Sequence, residues 1–562
     1  MTALLRAVLK TIARIEVAAF AGNYYFWLGL SVVAAVLFSL SGLVPALSFV
    51  YTIQDDARQH IFWLQFDGEI LQGDLISDYF ASVAPWGFKS LYHLVAFLGI
   101  DVFWFNKISP LLIGVATTGY CFALSYAWFP IAIAGFFSSV LLNQNLWLLD
   151  DLSSGTPRAF IYLLLLAFLY YLVKRNLAGC AIALIFQGLF YPQAVLISGA
   201  LLGLRLVFCK SKKVEVWGLA VAVAIAIVYG VSSSQYAPVI SLEMARSLPE
   251  FAAEGRSAFF SSNWVQFWLL GRRSGFFPIE WQYSLMLVYG LGLWWLKKYP
   301  RCFPLVNKLN SSIDILPQLL VASSCWFALA HLLLFRLHLP SRYTHHSIRL
   351  ILALLAGITL TVVGERILFY LRRFVAGRLL SFIKVTLFIL LLSGLLYPTV
   401  AVQSYPERLG YVTGEAAELY EFLQQQPPGS LVATLSEEGD FIPSLTGQQV
   451  LAAREYAIPY HWGYYKLLRQ RIEDLITAQY SQGELEVRQF VQRYNPDFWL
   501  VDRNAFTTKY LQNNPWLQQF NSSAKAARNL EHQQPFILQN SDRCKLWEDS
   551  RHILIDAECL KD

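Results

Sequence analysis

The feature that most limits what this chain can become is a succession of long apolar runs filling residues 24–400 and ending near Tyr397 and Pro398. A helix needs about 20 mostly apolar residues to cross the hydrocarbon core of a bilayer. Runs of that order lie at 24–48, 108–126, 129–148, 158–173, 177–191, 193–209, 214–232, 281–296, 315–335, 347–364 and 380–399. With 56% hydrophobic and 15% charged residues, against about 25% charged in an ordinary soluble domain, this surface needs lipid. The pattern predicts a polytopic α-helical membrane protein with about eleven transmembrane helices. Residues 401–562, rich in Gln, Glu, Arg and Tyr, read as globular sequence.

The net charge of +6 does not indicate nucleic acid, because Lys and Arg sit in short clusters at the ends of apolar runs. That placement encodes topology, since cytoplasmic loops carry the basic excess. If every run spans, Lys174 with Arg175, Lys210 with Lys212 and Lys213, Lys297 with Lys298 and Arg301, and Arg366 with Arg372 and Arg373 share one side with the N-terminus. The other side receives the acidic loop 49–107, the loops 149–157, 233–280 and 336–346, and the whole C-terminal region. The expectation is a transmembrane domain over 23–400 and an external, periplasmic α/β domain over 401–562, with a bacterial plasma membrane as the preferred setting.

Residues 1–22 place Arg6, Lys10 and Arg14 at four-residue spacing, which predicts an interfacial amphipathic helix. Ala19, Phe20 and Ala21 resemble a signal-peptidase site, but Arg14 and Glu16 interrupt the apolar region that cleavage requires. The tail predicts a helix around 415–425, a strand at 431–435, helices through 464–493 and strands at 498–502, 535–539 and 552–556. It shows no Gly-rich phosphate loop and no nucleophile elbow. Seven cysteines show no zinc or haem spacing, and Cys544 with Cys559 can pair in an oxidising compartment.

Charged residues gather where external loops meet the bilayer. Asp55, Asp56, Arg58 and His60 follow the first run closely. A carboxylate between apolar walls can serve as a general base or bind a cation; the alternative is a solvated loop acid. Asp150 and Asp151 lie at the same depth after the third run, ahead of Pro157 and Arg158, where they either complement a helix N-terminus or join Asp55 and Asp56 in one site. Arg158, Arg256, Arg272, Arg273 and Arg342 all fall on the external side, and paired arginines suit phosphate oxygens. Asp56 and His60 are four residues apart, the spacing of two ligands on a helix face, although such pairs are more often hydrogen bonds. His345 and His346 suit lipid headgroups equally. The aromatic residues read as interface belts, with Trp86, Trp104, Trp264 and Trp281 also placed to stack on a sugar.

These features together resemble the GT-C membrane glycosyltransferases, a superfamily that includes protein O-mannosyltransferases, the oligosaccharyltransferase catalytic subunit and the aminoarabinose transferase of lipid A. The shared architecture is an inside N-terminus, a long first external loop with acids just after helix one, about eleven to thirteen spans and an external C-terminal domain. The resemblance implies transfer of a sugar from a polyprenyl-phosphate-linked donor to an acceptor hydroxyl of a glycan, lipid or protein. It gives Asp55 or Asp56 the role of base, with Asp55 preferred, and gives the arginines the donor phosphate. It also makes Asp150 and Asp151 candidate ligands of a divalent metal, Mg or Mn, although their adjacency departs from the separated acids of such sites. The tail lacks the Trp-Trp-Asp motif of oligosaccharyltransferases, which argues against protein N-glycosylation. The rival readings are an envelope polysaccharide ligase or polymerase, and a lipid or solute transporter. For a transporter the nearest midplane candidates are Gln187 and the interruption at Tyr191, Pro192 and Gln193.

Overall fold

Each of the eleven apolar stretches carries a helix in the computed structural model. The model describes residues 23–561 apart from 66–70, 72, 209–211, 232–234, 237, 279–285, 376, 402–407 and 532. The amphipathic segment proposed for residues 1–22, together with Lys210 and Trp281, lies outside the described residues. In chain order the bundle helices are α1 (Tyr24–Ser48), α2 (Val102–Trp128), α3 (Ala132–Leu146), α4 (Ile161–Val173), α5 (Leu177–Phe190), α6 (Pro192–Phe208), α7 (Lys213–Val231), α8 (Met286–Leu296), α9 (Ile315–Leu332), α10 (Ser341–Phe374) and α11 (Gly377–Ala401). Among the described residues five helical stretches are long and apolar enough to cross a membrane: Tyr24–Ser48, Val102–Trp128, Lys213–Val231, Ser311–Leu332 and Ser341–Phe374. Shorter apolar helices pack among them, and the chain is an integral membrane protein.

Local chemistry sets several helix starts. The side chains of Asn23, Asp101 and Asn176 accept from the backbone N–H groups of Phe26, Trp104 and Gly179, satisfying donors that a first turn leaves open. The centre of the bundle is α3, whose residues are all buried except the partly buried Ile133. It lies against α10, where Gly357 leaves room for the backbone and hydroxyl of Ser138 and any Cβ would collide with them. Gln187, one of the features weighed for a transporter, donates to the Leu164 carbonyl at 3.2 Å and ties α5 to α4.

The segments that follow α1 and α3 meet the starts of α4 and α10, where Asp56 and Asp150 pair with Arg158 and Asp151 with Arg349. The loop 49–107 is itself largely helical, with helices Leu75–Val83 and Trp86–Phe97. Its side chains Ile53, Ile61, Phe62 and Tyr79 share one hydrophobic core with Tyr456, Tyr464 and Val432 of the C-terminal domain. Tyr79 stacks on Tyr464 with ring centroids 3.8 Å apart. Strand β1 (Thr52–Gln54) pairs antiparallel with β2 (Tyr411–Thr413), joining the start of the first loop to the start of the C-terminal domain.

That domain is built on a five-stranded sheet of β3 (Leu431–Thr434), β4 (Gln449–Val450), β5 (Phe498–Asp502), β6 (Lys545–Glu548) and β7 (His552–Asp556), in the order β4-β3-β5-β7-β6. β4, β3 and β5 are parallel, whereas β7 runs antiparallel to β5 and β6 antiparallel to β7. Ala417–Gln424, Trp462–Gln479 and Glu484–Tyr494 are helical, as expected. The predicted strand at 535–539 is instead the helix Phe536–Cys544: Pro535 sets its N-terminus, and a short apolar run alone does not separate helix from strand. A disulfide joins Cys544 to Cys559.

Candidate functional site

Three segments far apart in sequence are pinned together beside the end of α1. The Asp55 N–H donates to the Gly410 carbonyl at 2.7 Å, and the Ser153 hydroxyl donates to the Leu409 carbonyl, also at 2.7 Å. Asp150–Ser153 forms a single helical turn, and the chain then reverses through Gly155 at φ +57°, where a Cβ would strike Asn106. Only glycine takes this left-handed geometry without strain. The Asn106 amide donates to the Ser154 carbonyl at 2.8 Å and Tyr92 donates to the Gly155 carbonyl at 3.0 Å. Pro157 then opens the 3₁₀ turn that carries Arg158 into α4.

Arg158 stands at the centre of the resulting cluster. It is ion-paired with Asp56, its Nη2 lies 3.2 Å from Asp150 and its Nε 3.5 Å from Asp151. Arg272, with a side chain 71% exposed, reaches Asp150 at 3.4 Å. Asp151 is buried, bonded by Arg349 at 2.5 Å and by the Tyr162 hydroxyl at 2.8 Å. His346 Nδ1 is 2.9 Å from the same hydroxyl, so His345 and His346, both buried, do not meet lipid headgroups. Burial works to raise the Asp56 carboxyl, but Arg158, His60, Arg342 and Arg272 together outweigh it and hold it below the usual carboxylate range. Burial likewise opposes ionisation of Asp151, where Arg349 and Arg158 prevail. Arg342 takes part in both fields, yet among the described residues its guanidinium has no hydrogen-bond or ion-pair partner.

The two acids after α1 diverge. Asp55, 42% exposed, turns away from Arg158 and pairs with Arg58, whose guanidinium lies 3.3 Å from Glu455 and 4.5 Å over the Phe441 ring. Glu455 also takes Arg256 at 2.9 Å. Burial, with the carboxylates of Asp55 and Asp440 beside it, pushes the Glu455 carboxyl up to about 8 against the pull of Arg256 and Arg58. Of the arginines expected to share a phosphate, Arg158, Arg272 and Arg342 therefore belong to the Asp56 cluster. Arg256 belongs to Glu455, and Arg273 donates to the Ala258 and Arg256 carbonyls. The His60 ring packs against Phe80 with its Nδ1 buried and, among the described residues, unpartnered, and the ring makes no bond to Asp56.

The expected metal does not fit. Among the described residues no three His, Cys, Asp or Glu side chains come together to hold a cation. The oxygens of Asp150 and Asp151 already face Arg158, Arg272 and Arg349, so Mg or Mn there would meet guanidinium charge. Sequence reasoning left Arg349 and Glu455 unassigned. Arg342, His345, His346 and Arg349 stand at positions i, i+3, i+4 and i+7 of α10. That is one polar face on an otherwise apolar helix, which is itself a functional signal. Glu455 carried no comparable signal.

No protein-family model matches the chain, and no curated protein matches it. Among solved structures it is similar to the oligosaccharyltransferase AglB from Archaeoglobus fulgidus in complex with an inhibitory peptide and a dolichol-phosphate. The likeness covers 89% of this chain and 72% of that chain, at 11% identity and a TM-score of 0.51. A weaker likeness, with a TM-score of 0.45, 13% identity and coverage of 85% of this chain and 36% of the other, links it to the mycobacterial arabinofuranosyltransferase AftD; nothing is argued from it. The chain has the GT-C fold of the first of these.

Proposed function

We propose that the protein is a membrane glycosyltransferase that moves a sugar from a polyprenyl-phosphate or polyprenyl-diphosphate carrier to an acceptor hydroxyl. The observation that carries this reading is an ionised Asp56, paired with Arg158, next to an Arg342 guanidinium without an anionic partner among the described residues. A cation left free beside charge-balanced neighbours suits an incoming phosphate. The archaeal enzyme of the same fold holds a dolichol-phosphate, an anion of that class.

In the proposed reaction Arg342 and the exposed Arg272 take the carrier phosphate, while Asp56 accepts a hydrogen bond from the acceptor hydroxyl. The acceptor oxygen attacks the anomeric carbon and the bond from that carbon to the phosphate oxygen breaks. The electron pair leaves with the carrier phosphate, where the guanidiniums stabilise the developing charge. Because its neighbours hold Asp56 ionised, it takes the proton late, once the attacking oxygen has begun to bond and become acidic. No step uses a metal.

The cluster face is taken as external and the C-terminal domain as periplasmic. If each of the eleven helices crosses the bundle, Lys174, Arg175, Lys212, Lys213, Lys297, Lys298, Arg372 and Arg373 fall at the helix ends away from the cluster, which the positive-inside bias supports as cytoplasmic. The disulfide Cys544–Cys559 also suits an oxidising compartment. The test is transfer from a labelled polyprenyl-phosphate sugar by the purified protein in nanodiscs. Asp56→Asn is expected to lose transfer while remaining folded and inserted, with a smaller loss of transfer in Asp55→Asn. Full transfer by Asp56→Asn would remove the proposed base.

A further inference from the structure

Apart from the Asp56 cluster, a cavity of about 560 Å³ opens between the C-terminal domain and the loop that follows α7. Its position follows from the sheet topology. The chain leaves β3 to form β4 on one side and returns to form β5 on the other, so the strand order reverses between β3 and β5. The crevice outside the carboxyl ends of parallel strands at such a reversal is where α/β sheets bind ligands. Here β3 runs on into Ser436 and Glu437, β5 into Asn504 and Lys509, and Arg256 closes the wall from the loop.

We infer that this cavity binds a saccharide and holds the acceptor glycan; the role as acceptor, though not the binding, rests on the glycosyltransferase reading. Glu437, Asn504 and Lys509 are exposed, and among the described residues their side chains have no hydrogen-bond or ion-pair partner. A carboxylate accepts, an ammonium donates and an amide does both, which is the mixture that sugar hydroxyls, themselves donors and acceptors, can satisfy. With Arg256 committed to Glu455, the acids Glu254 and Glu437 balance the cations Arg454 and Lys509, so the lining offers an anion no surplus of positive charge, and an apolar ligand would leave all of these groups desolvated and unpaired. Tyr510 and Trp516 add aromatic carbon to the wall for the C–H face of a sugar ring, and the volume lies within the range of roughly 300–1,000 Å³ of ordinary ligand sites.

The cavity is also wired to the proposed reaction centre. Arg256 lines it and pairs with Glu455, Glu455 pairs with Arg58, and Arg58 pairs with Asp55, the neighbour of Asp56. A glycan seated there lies one continuous ion-pair chain away from the carboxylate proposed as base.

The test uses the full-length protein in detergent and a panel of linear di- to tetrasaccharides of glucose, mannose, galactose and arabinose, with binding read by saturation-transfer NMR and calorimetry. At least one saccharide is expected to bind. Glu437→Ala, Asn504→Ala and Lys509→Ala, which remove no side-chain hydrogen bond or ion pair among the described residues, are expected to weaken it tenfold or more, whereas Lys174→Ala, an exposed residue at the far end of α4, leaves it unchanged. Absence of binding across the panel, binding indifferent to the three variants, or displacement of the saccharide by inorganic phosphate would each overturn the inference. Saccharide binding in a wild-type protein that transfers no sugar would leave the cavity standing and remove the glycosyltransferase reading instead.

Discussion

The two ends of α4 each carry a buried ionic cluster, and they differ in how they are made. With its leading 3₁₀ turn, Pro157–Val173 separates them by roughly 25 Å. At the far end Glu215, wholly buried, pairs with Arg175 and, at 3.3 Å, with Arg205. Arg205 in turn donates to Gln318 at 3.2 Å. Its ionised members come from residues 175–215, a short stretch of chain, and both arginines are committed to one acid. At the near end Asp56, Asp150, Asp151, Arg158, Arg272, Arg342 and Arg349 come from segments up to 293 residues apart in number (349 − 56), and one guanidinium stays uncommitted among the described residues. The first arrangement fastens helices. The second needs the whole fold to assemble it and leaves a charge for something else.

If that contrast is right, substitutions at the two ends should fail differently. The largest effect is expected for Asp56→Asn, which removes a general base worth about 10²- to 10⁴-fold: transfer should fall by that factor, with a smaller loss of thermal stability than at the far end because Arg158 keeps Asp150 and Asp151. Glu215→Ala should do the reverse. Stripping the acid from a buried pair costs about 3–5 kcal/mol, so thermal unfolding should come earlier while transfer per folded molecule is retained. A Glu215 variant that folds normally but loses transfer would erase the distinction between the two ends.

A smaller effect concerns the joint between the first loop and the C-terminal domain. Burial raises the Glu455 carboxyl from 4.5 to about 8, so the folded protein holds that proton more tightly than the unfolded chain. The associated stability is present below pH 4.5 and is lost as the pH climbs to about 8. Melting temperatures of wild type and Glu455→Gln, compared across this window, should converge at the acid end. The variant, which mimics the protonated acid, should be flatter with pH; parallel profiles would mean that Glu455 does not titrate in this range.

Much of the bundle could be read directly from the sequence, because its helices appear as apolar runs, several of them closed by basic residues. The acids after α1 and α3 were legible for the same reason, as charge at a lipid boundary is conspicuous. What the sequence concealed was direction. Asp55 and Asp56 look equivalent on paper, yet Arg158 arrives beside Asp56 from 102 residues away while Asp55 pairs with Arg58, which is why Asp56 is the base we propose. Strands β1 and β2 are three residues each and pair across more than 350 positions, too short and too distant to show as a pattern. Arg256, expected at the phosphate, pairs with Glu455 of the C-terminal domain, a partner that no sequence pattern announces.

The central claim is that the uncommitted arginine at the near end receives the carrier phosphate. The most direct test is the affinity of the purified protein for polyprenyl phosphate, measured by native mass spectrometry for wild type, Arg342→Ala and Arg205→Ala. Loss of a charge-assisted contact worth about 1.5–3 kcal/mol should weaken binding in Arg342→Ala about 10- to 150-fold, with Arg205→Ala close to wild type. Equal affinities in wild type and Arg342→Ala, or a greater loss in Arg205→Ala, would contradict the account.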